Sequence, residues 1–596
     1  MKIKDVGLES SSHIIIHCTF AWRFWSLILH NSNVRWVSSL STADFFVQWV
    51  SLSSGKFRDL WKLIWYFGAW NLWKVRNKRV FQHEETEIYS LLFSTTCRAV
   101  EFYKFQHHDF PYSENDPFNI KVIKFATVKK KKIIFFPEKI VKKMQVDIIS
   151  RELIKPSSPI ILQTKKPFKF ALFNQLTPIT YTPFIFFYPT TSSSSPNNVA
   201  QTLVHLKETL SQTLDLYYPF SGRVVDNSHI DHFDEGIPLI IARINGLVLS
   251  EFLKNPRLEL MNEFVPFKPY TKVTDMGVPQ MGFQVSVFSC GGIAIGCSAS
   301  HKLIDAPTGA AFLHAWSTLT RTGSLSSVVK PNCDEASVYF PPKNPFPQEH
   351  LALMETLWFT EGNYVSKRFV FNANAIATLR IKARGEGNEK KRPPSRIEAL
   401  SCFIWKCCMT VSSKAISGAP KLSVLVEAVN LRTRTKPPMS NVSIGDIFWW
   451  ATAMADPSFL EKELHDLAAL LDESIGLYDD REYMDSLQGD DGFETMAEYC
   501  NQLQELISVE KPDIFAFTSW CHLGINKMDF GFGNPFWFGI LGKVGPAFRN
   551  LTVFTEARDG KGIEAWITLD EERMTKLERD PEFLAYACPN PTISSM

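Results

Sequence analysis

The 596-residue chain has no C-x-x-C pair, and its eleven cysteines are scattered and odd in number. A disulfide framework is therefore not indicated, and thiols kept reduced inside a cell fit better. The sequence also lacks a P-loop, a G-x-G-x-x-G turn, a cluster of metal-ligand residues and an internal repeat. Nucleotide chemistry on a phosphate cradle, a resident metal and a solenoid architecture are thus unsupported. Neither sign of charge is in excess: 64 basic residues face 62 acidic ones, for a formal net charge of +2. Nothing global draws the chain to nucleic acid or to an acidic membrane surface. No stretch reads as a membrane span. The most suggestive, SHIIIHCTFAWRFWSLILH, carries His13, His17, Arg23 and His30, whereas a span wants about 20 residues nearly free of such groups. The N-terminus does not have the layout of a signal peptide. The expectation is a soluble, cytoplasmic monomer with no metal and no nucleic-acid or membrane partner.

What is present divides into two unlike parts. With 45% hydrophobic and 21% charged residues the composition is globular, and the length implies more than one domain. Residues 1–110 are crowded with tryptophan: Trp22, Trp25, Trp36, Trp49, Trp61, Trp65, Trp70 and Trp73. The proline-free stretch FRDLWKLIWYFGAWNLWKVRNKRVFQ places Phe57, Trp61 and Trp65 at helical spacing and predicts an amphipathic helix. Residues 111–143 have linker composition, with PYSENDPF followed by a lysine run that reads as a solvated tether. At Met144 the texture changes to an alternating strand, MQVDIISRELI, and Met144 is the expected start of the functional part.

The order SSHIIIHCTFAWRFW followed by IWYFGAWNLWKVRNKRVF resembles the zinc-binding segment downstream of reverse transcriptase in plant LINE-type retroelements. That pattern has a C-x-x-C pair ahead of its His and Cys. Here MKIKDVGLES stands in its place, leaving only His13 and Cys18, and a structural zinc site needs four ligands. The expectation is a degenerate remnant without zinc, mostly helical or poorly ordered. Binding of nucleic acid through residues 1–143 is a reading carried only by the lysine run and the aromatic residues.

Residues 290–316, CGGIAIGCSASHKLIDAPTGAAFLHAW, alternate as a buried strand up to Ala299 and read as a helix from Ala306. His301 falls at the strand end, where α/β proteins commonly place chemistry. From these residues alone His301 is either a general base or an ordinary histidine at a strand end. The surrounding blocks are SRELIKPSSP (150–159), LDLYYPFSGRV, FSCGGIAIGCSASHKLIDA, IEALSCFIWKC, AVNLRTRTKPP, FAFTSWCHLGINKMDFGFGNP and GIEAWITLDEERMTKLERDPEFLAYA. In content and order they resemble the BAHD acyl-CoA-dependent acyltransferases of plants, in particular the vinorine synthase-like branch of alkaloid O-acetyltransferases.

The resemblance implies an α/β fold: two similar chloramphenicol acetyltransferase-like domains, with mixed sheets and helices, joined by a long crossover. The bounds drawn are 144–338 for the first domain, 339–360 for the crossover and 361–596 for the second domain. It implies His301 as general base, an acyl-CoA (acetyl-CoA favoured) as co-substrate rather than a bound cofactor, and the hydroxyl of a specialised metabolite, an alkaloid, as acceptor. Asp305 is expected to pair with Arg432 and to act through structure, not as the third member of a triad. The second signature, DFGFG, offers Asp529, Gly531 and Gly533 for a tight turn, with Phe532 where the family has tryptophan. Thr518 and Trp520 are candidates to line the channel, with core packing as the other reading, and Ser298 and Ser300 read as structural hydroxyls. One further departure is IGD, residues 444–446, where the family has F-G-N. Together with Phe532 and the foreign N-terminus, it motivates an alternative: an acyltransferase fold that has lost activity.

Overall fold

The computed structural model describes residues 19–31, 42–51, 58–81, 88–106, 144–189, 196–360, 362–386, 392–415, 421–540, 542 and 550–593. His13, His17, Cys18 and Trp36, the zinc expectation, and the whole linker 111–143 with its lysine run lie outside the described residues. The chain forms two units, residues 1–138 and 139–596.

Everything described in the first unit is helical: Thr19–Asn31, Thr42–Ser51, Arg58–Phe81 and Ile88–Gln106. Its tryptophans explain why. Trp25, Trp49 and Trp61 are fully buried, and Trp49 and Trp61 stack with ring centroids 4.7 Å apart. Each indole N–H donates to the other residue's backbone carbonyl, at 2.9 and 2.7 Å, so two large apolar rings are buried without stranding their one polar atom. Trp70 and Trp73, further along the same helix, remain exposed.

The second unit is built on two mixed sheets. The first has six strands in the order Gln145–Ile154, Ile237–Asn245, Met281–Phe288, Ile293–Ser300, Tyr181–Tyr188 and Trp537–Gly539. Only the Ile237–Asn245/Met281–Phe288 pair is parallel. The second has seven, ordered Phe448–Ala455, Ser423–Asn430, Asp513–Ser519, Leu551–Glu556, Ile563–Asp570, Tyr364–Phe371 and Ala587–Pro589. The three-residue strand Trp537–Gly539 belongs by sequence to the second half of the chain but completes the first sheet against Tyr181–Tyr188. It ties the two halves together by backbone hydrogen bonds. The connection between the halves carries a helix of its own, Gln348–Trp358, whose Leu351, Met354, Leu357 and Trp358 are buried. Prolines dominate the preceding residues, which is why the segment reads in sequence as an irregular crossing.

Strand Ile293–Ser300 is buried at every position. One of its faces is made of Ala294, Gly296, Ser298 and Ser300, because neighbouring chain approaches closely there. A Cβ on Gly296 would lie 1.8 Å from the carbonyl oxygen of Phe264. Gly296→Ala is therefore expected to destabilise the fold by about 1–3 kcal/mol, read as a lowered midpoint in thermal or urea unfolding.

Candidate active site

His301 is the first residue after that strand. Its backbone N–H donates to Thr180 O at 2.8 Å, and the N–H groups of Leu303 and Ile304 fold back onto Ser300 O. The turn leads into helix Ala306–Thr322. Asp305 caps this helix, accepting from Thr308 N at 2.9 Å, and Pro307 occupies its first turn. This local chemistry separates the two motif residues by design: the histidine faces a cavity while the aspartate turns into the protein.

Asp305 is buried and fully engaged. Its two oxygens accept from Arg432 Nη1 at 2.6 Å and Nη2 at 3.1 Å, and Oδ2 also accepts from Ile447 N at 3.0 Å. Arg432, with no exposed side-chain surface, spends its other donors on Ser443 O, Gly445 O and Thr308 Oγ1. A buried charge pair is costly unless its hydrogen-bonding capacity is used, and here it is used. The pair clamps residues 443–447 onto the start of helix Ala306–Thr322.

That clamped loop carries Asp446. Its carboxylate is 1% exposed and places Oδ1 3.2 Å from His301 Nδ1. The contact lies within ion-pair distance without the alignment of a hydrogen bond. Oδ2 accepts from Thr177 Oγ1 at 2.5 Å. Beside it, buried Lys302 donates to Gln175 O and Thr177 O. Burial pulls the Lys302 ammonium down to about 7, against the opposing pull of Asp446 and Glu355. Burial also disfavours the charged His301 ring, but the Asp446 carboxylate outweighs it and, with Asp305, raises the imidazole above its ordinary value. Asp446 itself is held above the usual carboxylate range by burial, against the opposing influence of His301.

The His301 side chain is 28% exposed and opens onto a cavity of 330 Å³. This is enough for a small organic ligand. Its walls come from both sheets and from the connecting helix: Phe184, Thr518, Trp520, Phe448, Trp450, Met354 and Trp358 among them. Trp520 stacks on Phe184 at 4.7 Å. Phe448 sits edge-on to His301 at 5.5 Å and to Trp450 at 5.1 Å. The structure thus brings His301, Asp305, Thr518 and Trp520 to one cavity, with Arg432 behind Asp305. Ser298 and Ser300 are buried in the strand leading to it.

Asp529, Gly531 and Gly533 lie elsewhere. Asp529 Oδ1 accepts from the N–H groups of Gly531 and Gly533 at 2.8 and 2.9 Å, and both glycines have positive φ, near +96° and +92°. The segment is a self-closed turn anchored by Tyr188, whose hydroxyl donates to Met528 O at 2.6 Å. Phe532 packs edge-on against the Tyr188 ring at 4.7 Å. None of residues 529–533 is among those lining the cavity. Sequence reasoning passed over Asp446 as a partner of His301, and it passed over the wall formed by Trp358, Phe448 and Trp450. The compact aromatic run IFWW, directly after the IGD departure, was the available signal.

Residues 144–584 match the model of the Transferase family. The chain belongs to that family, the BAHD acyl-CoA-dependent acyltransferases. Over 454 residues it is 36% identical to akuammiline synthase 2 of Alstonia scholaris, covering 76% of this chain and 98% of the relative. It is 36% identical over 462 residues to limonoid 7-O-acetyltransferase of Citrus sinensis, covering 75% of this chain and 99% of the relative. Among solved structures, that of vinorine synthase is similar with a TM-score of 0.62 at 32% identity, covering 75% of this chain and 100% of that one. As a BAHD acyltransferase the chain is an O-acyltransferase that draws its acyl group from a CoA thioester, and its α/β architecture of mixed sheets and helices is that of the solved relative.

Proposed function

We propose that this enzyme transfers an acetyl group from acetyl-CoA to a hydroxyl of a plant specialised metabolite, an alkaloid, with His301 as the general base. The observation that carries the reading is the placement of His301 on an aromatic-walled cavity, with its Nδ1 edge buried against Asp446 and Nε2 on the opposite side of the ring. A hydroxyl is too weak an acid to attack a thioester unaided at neutral pH, and an imidazole is the side chain suited to take its proton there. As that proton passes to His301, the acceptor oxygen bonds to the acetyl carbonyl carbon. The tetrahedral intermediate then collapses, the C–S bond breaks, and the imidazolium returns the proton to the departing CoA sulfur. Holding both substrates in one cavity supplies much of the acceleration, and no acyl-enzyme is needed.

The acetyl donor is supported by the limonoid relative, an acetyltransferase by name. The alkaloid acceptor rests on the vinorine synthase-like sequence blocks and on a wall rich in flat aromatic rings. The alternative of an impaired remnant is not favoured, because the DFGFG turn closes normally with Phe532 in place and the cavity beside His301 is open. Asp305, Arg432, Asp529, Gly531 and Gly533 support the site through structure, and Thr518 and Trp520 contact the substrates. The cysteines, scattered, odd in number and without a C-x-x-C pair, support a cytoplasmic location, and the enzyme acts as a monomer. Among the described residues no helix is long and apolar enough to cross a membrane.

The test is incubation of the purified chain with acetyl-CoA and a panel of hydroxylated alkaloids, limonoids and phenolic alcohols, following thiol release and product mass. Acetylation of an alkaloid supports the reading in full, and acetylation confined to limonoids moves the acceptor class. Since the family match begins at residue 144, a chain of residues 144–596 is expected to turn over within about twofold of the full-length rate. A loss of tenfold or more would give residues 1–143 a part in the reaction.

A further inference from the structure

We propose that Asp446 is the positioning partner of His301: its buried carboxylate, set on Nδ1, holds the imidazole in the tautomer that presents the Nε2 lone pair to the cavity. This rests on the reading of His301 as the base.

A histidine acts as a base only through an unprotonated nitrogen, and which nitrogen that is depends on what the other one faces. Here Nδ1 is buried and faces one group able to receive its proton's charge, Asp446 Oδ1 at 3.2 Å. The motif aspartate does not compete for that place, because Asp305 is committed to Arg432, Thr308 and Ile447. Asp446 is in turn held from behind by Thr177 Oγ1 at 2.5 Å. Its backbone is fixed by the loop that Arg432 grips through Ser443 and Gly445. The charged and titratable groups around the ring are thus Asp446 directly, Asp305 with its paired Arg432, and Lys302, which bonds to Thr177 O and feels Glu355. Their arrangement is a base oriented by a carboxylate, the logic of a catalytic triad with its nucleophile supplied by the acceptor alcohol.

The same position holds asparagine in the pattern that this chain otherwise resembles. An amide can hold the ring but carries no charge, so Asp446 gives this chain a base stabilised in its protonated form. A carboxylate beside Nδ1 makes the imidazole a stronger base, at the cost of requiring a higher pH to empty it. Replacing the carboxylate should therefore move the acid limb of the rate profile to lower pH while lowering the plateau.

The experiment compares the full chain with Asp446→Asn, Thr177→Val and His301→Ala, using acetyl-CoA and the best acceptor from the panel. Two quantities are read: the pH profile of kcat/KM, and the titration of the His301 ring by NMR of protein labelled with 13C at histidine Cε1. The His301 signal is assigned by its loss in His301→Ala. The expected result is a plateau about tenfold lower in Asp446→Asn, with the acid limb and the ring titration both displaced to lower pH. Thr177→Val, which keeps the carboxylate but removes its hydroxyl partner, shifts both the same way by less. An Asp446→Asn enzyme with its acid limb and ring titration unmoved overturns the proposal, because a purely spatial role would survive the swap. If His301→Ala keeps its activity, the reading of His301 as base fails, and the ring titration then decides the pairing alone.

Discussion

His301→Ala is expected to lower kcat for acetyl transfer by about 10²- to 10⁴-fold, the usual worth of a positioned general base, while leaving CoA binding intact. The ring contributes one wall of the cavity and is partly exposed, so its loss enlarges the site without collapsing it. Its removal also leaves Asp446 buried with Thr177 as its remaining partner. Burial already raises that carboxyl above its ordinary range, and without the imidazole it takes up a proton rather than remain a bare charge. The cost in stability is accordingly modest, and calorimetric titration of CoA into the variant separates a missing base from a misfolded protein. Retained CoA affinity with lost turnover is the expected pair of results. Lost affinity would place His301 in the architecture of the site instead.

The second large effect concerns stability first and activity second. Arg432→Ala leaves the Asp305 carboxylate buried beside a void and takes the guanidinium donors from the carbonyls of Ser443 and Gly445, leaving them the Thr308 hydroxyl. Breaking a buried pair from one side costs about 3–5 kcal/mol, against a total stability of about 5–15 kcal/mol for a typical domain. Urea unfolding is expected to show a markedly lower midpoint. Activity should fall even where the variant is folded, because the freed loop carries Asp446. Asp305→Asn combined with Arg432→Gln should cost less than the sum of the two single variants, since neither then faces an uncompensated charge. Strict additivity in that cycle would contradict the clamp.

Much of the fold was legible because a few segments announce their period. Alternation to Ala299 and the Asp-Ala-Pro start at 305–307 specify a strand, a turn and a helix, and that succession alone puts His301 at a strand end. The Arg58–Phe81 helix is likewise visible in its tryptophan spacing. The strand Trp537–Gly539 is too short to show alternation, and it joins the first sheet only because long-range packing brings it there. The helix Gln348–Trp358 hides behind prolines, although Leu351, Met354 and Trp358 keep helical spacing. The roles of Asp305 and Arg432 came from the resemblance, since a salt bridge between distant segments leaves no local pattern. Asp446 illustrates the limit best. In sequence it is a departure that counts against activity. In space its carboxylate is the group that meets His301 Nδ1, a juxtaposition that exists only once the 443–447 loop is clamped to the helix start.

The most direct test of His301-assisted, one-step transfer is a rapid-quench experiment with acetyl-CoA labelled in the acetyl group. Without acceptor, the protein should carry no label. With acceptor present, label should leave CoA and appear only on the acceptor hydroxyl, and His301→Ala should slow that transfer by about 10²- to 10⁴-fold. Label trapped covalently on the protein, or transfer that persists at the native rate in His301→Ala, would contradict direct base-assisted attack at this site.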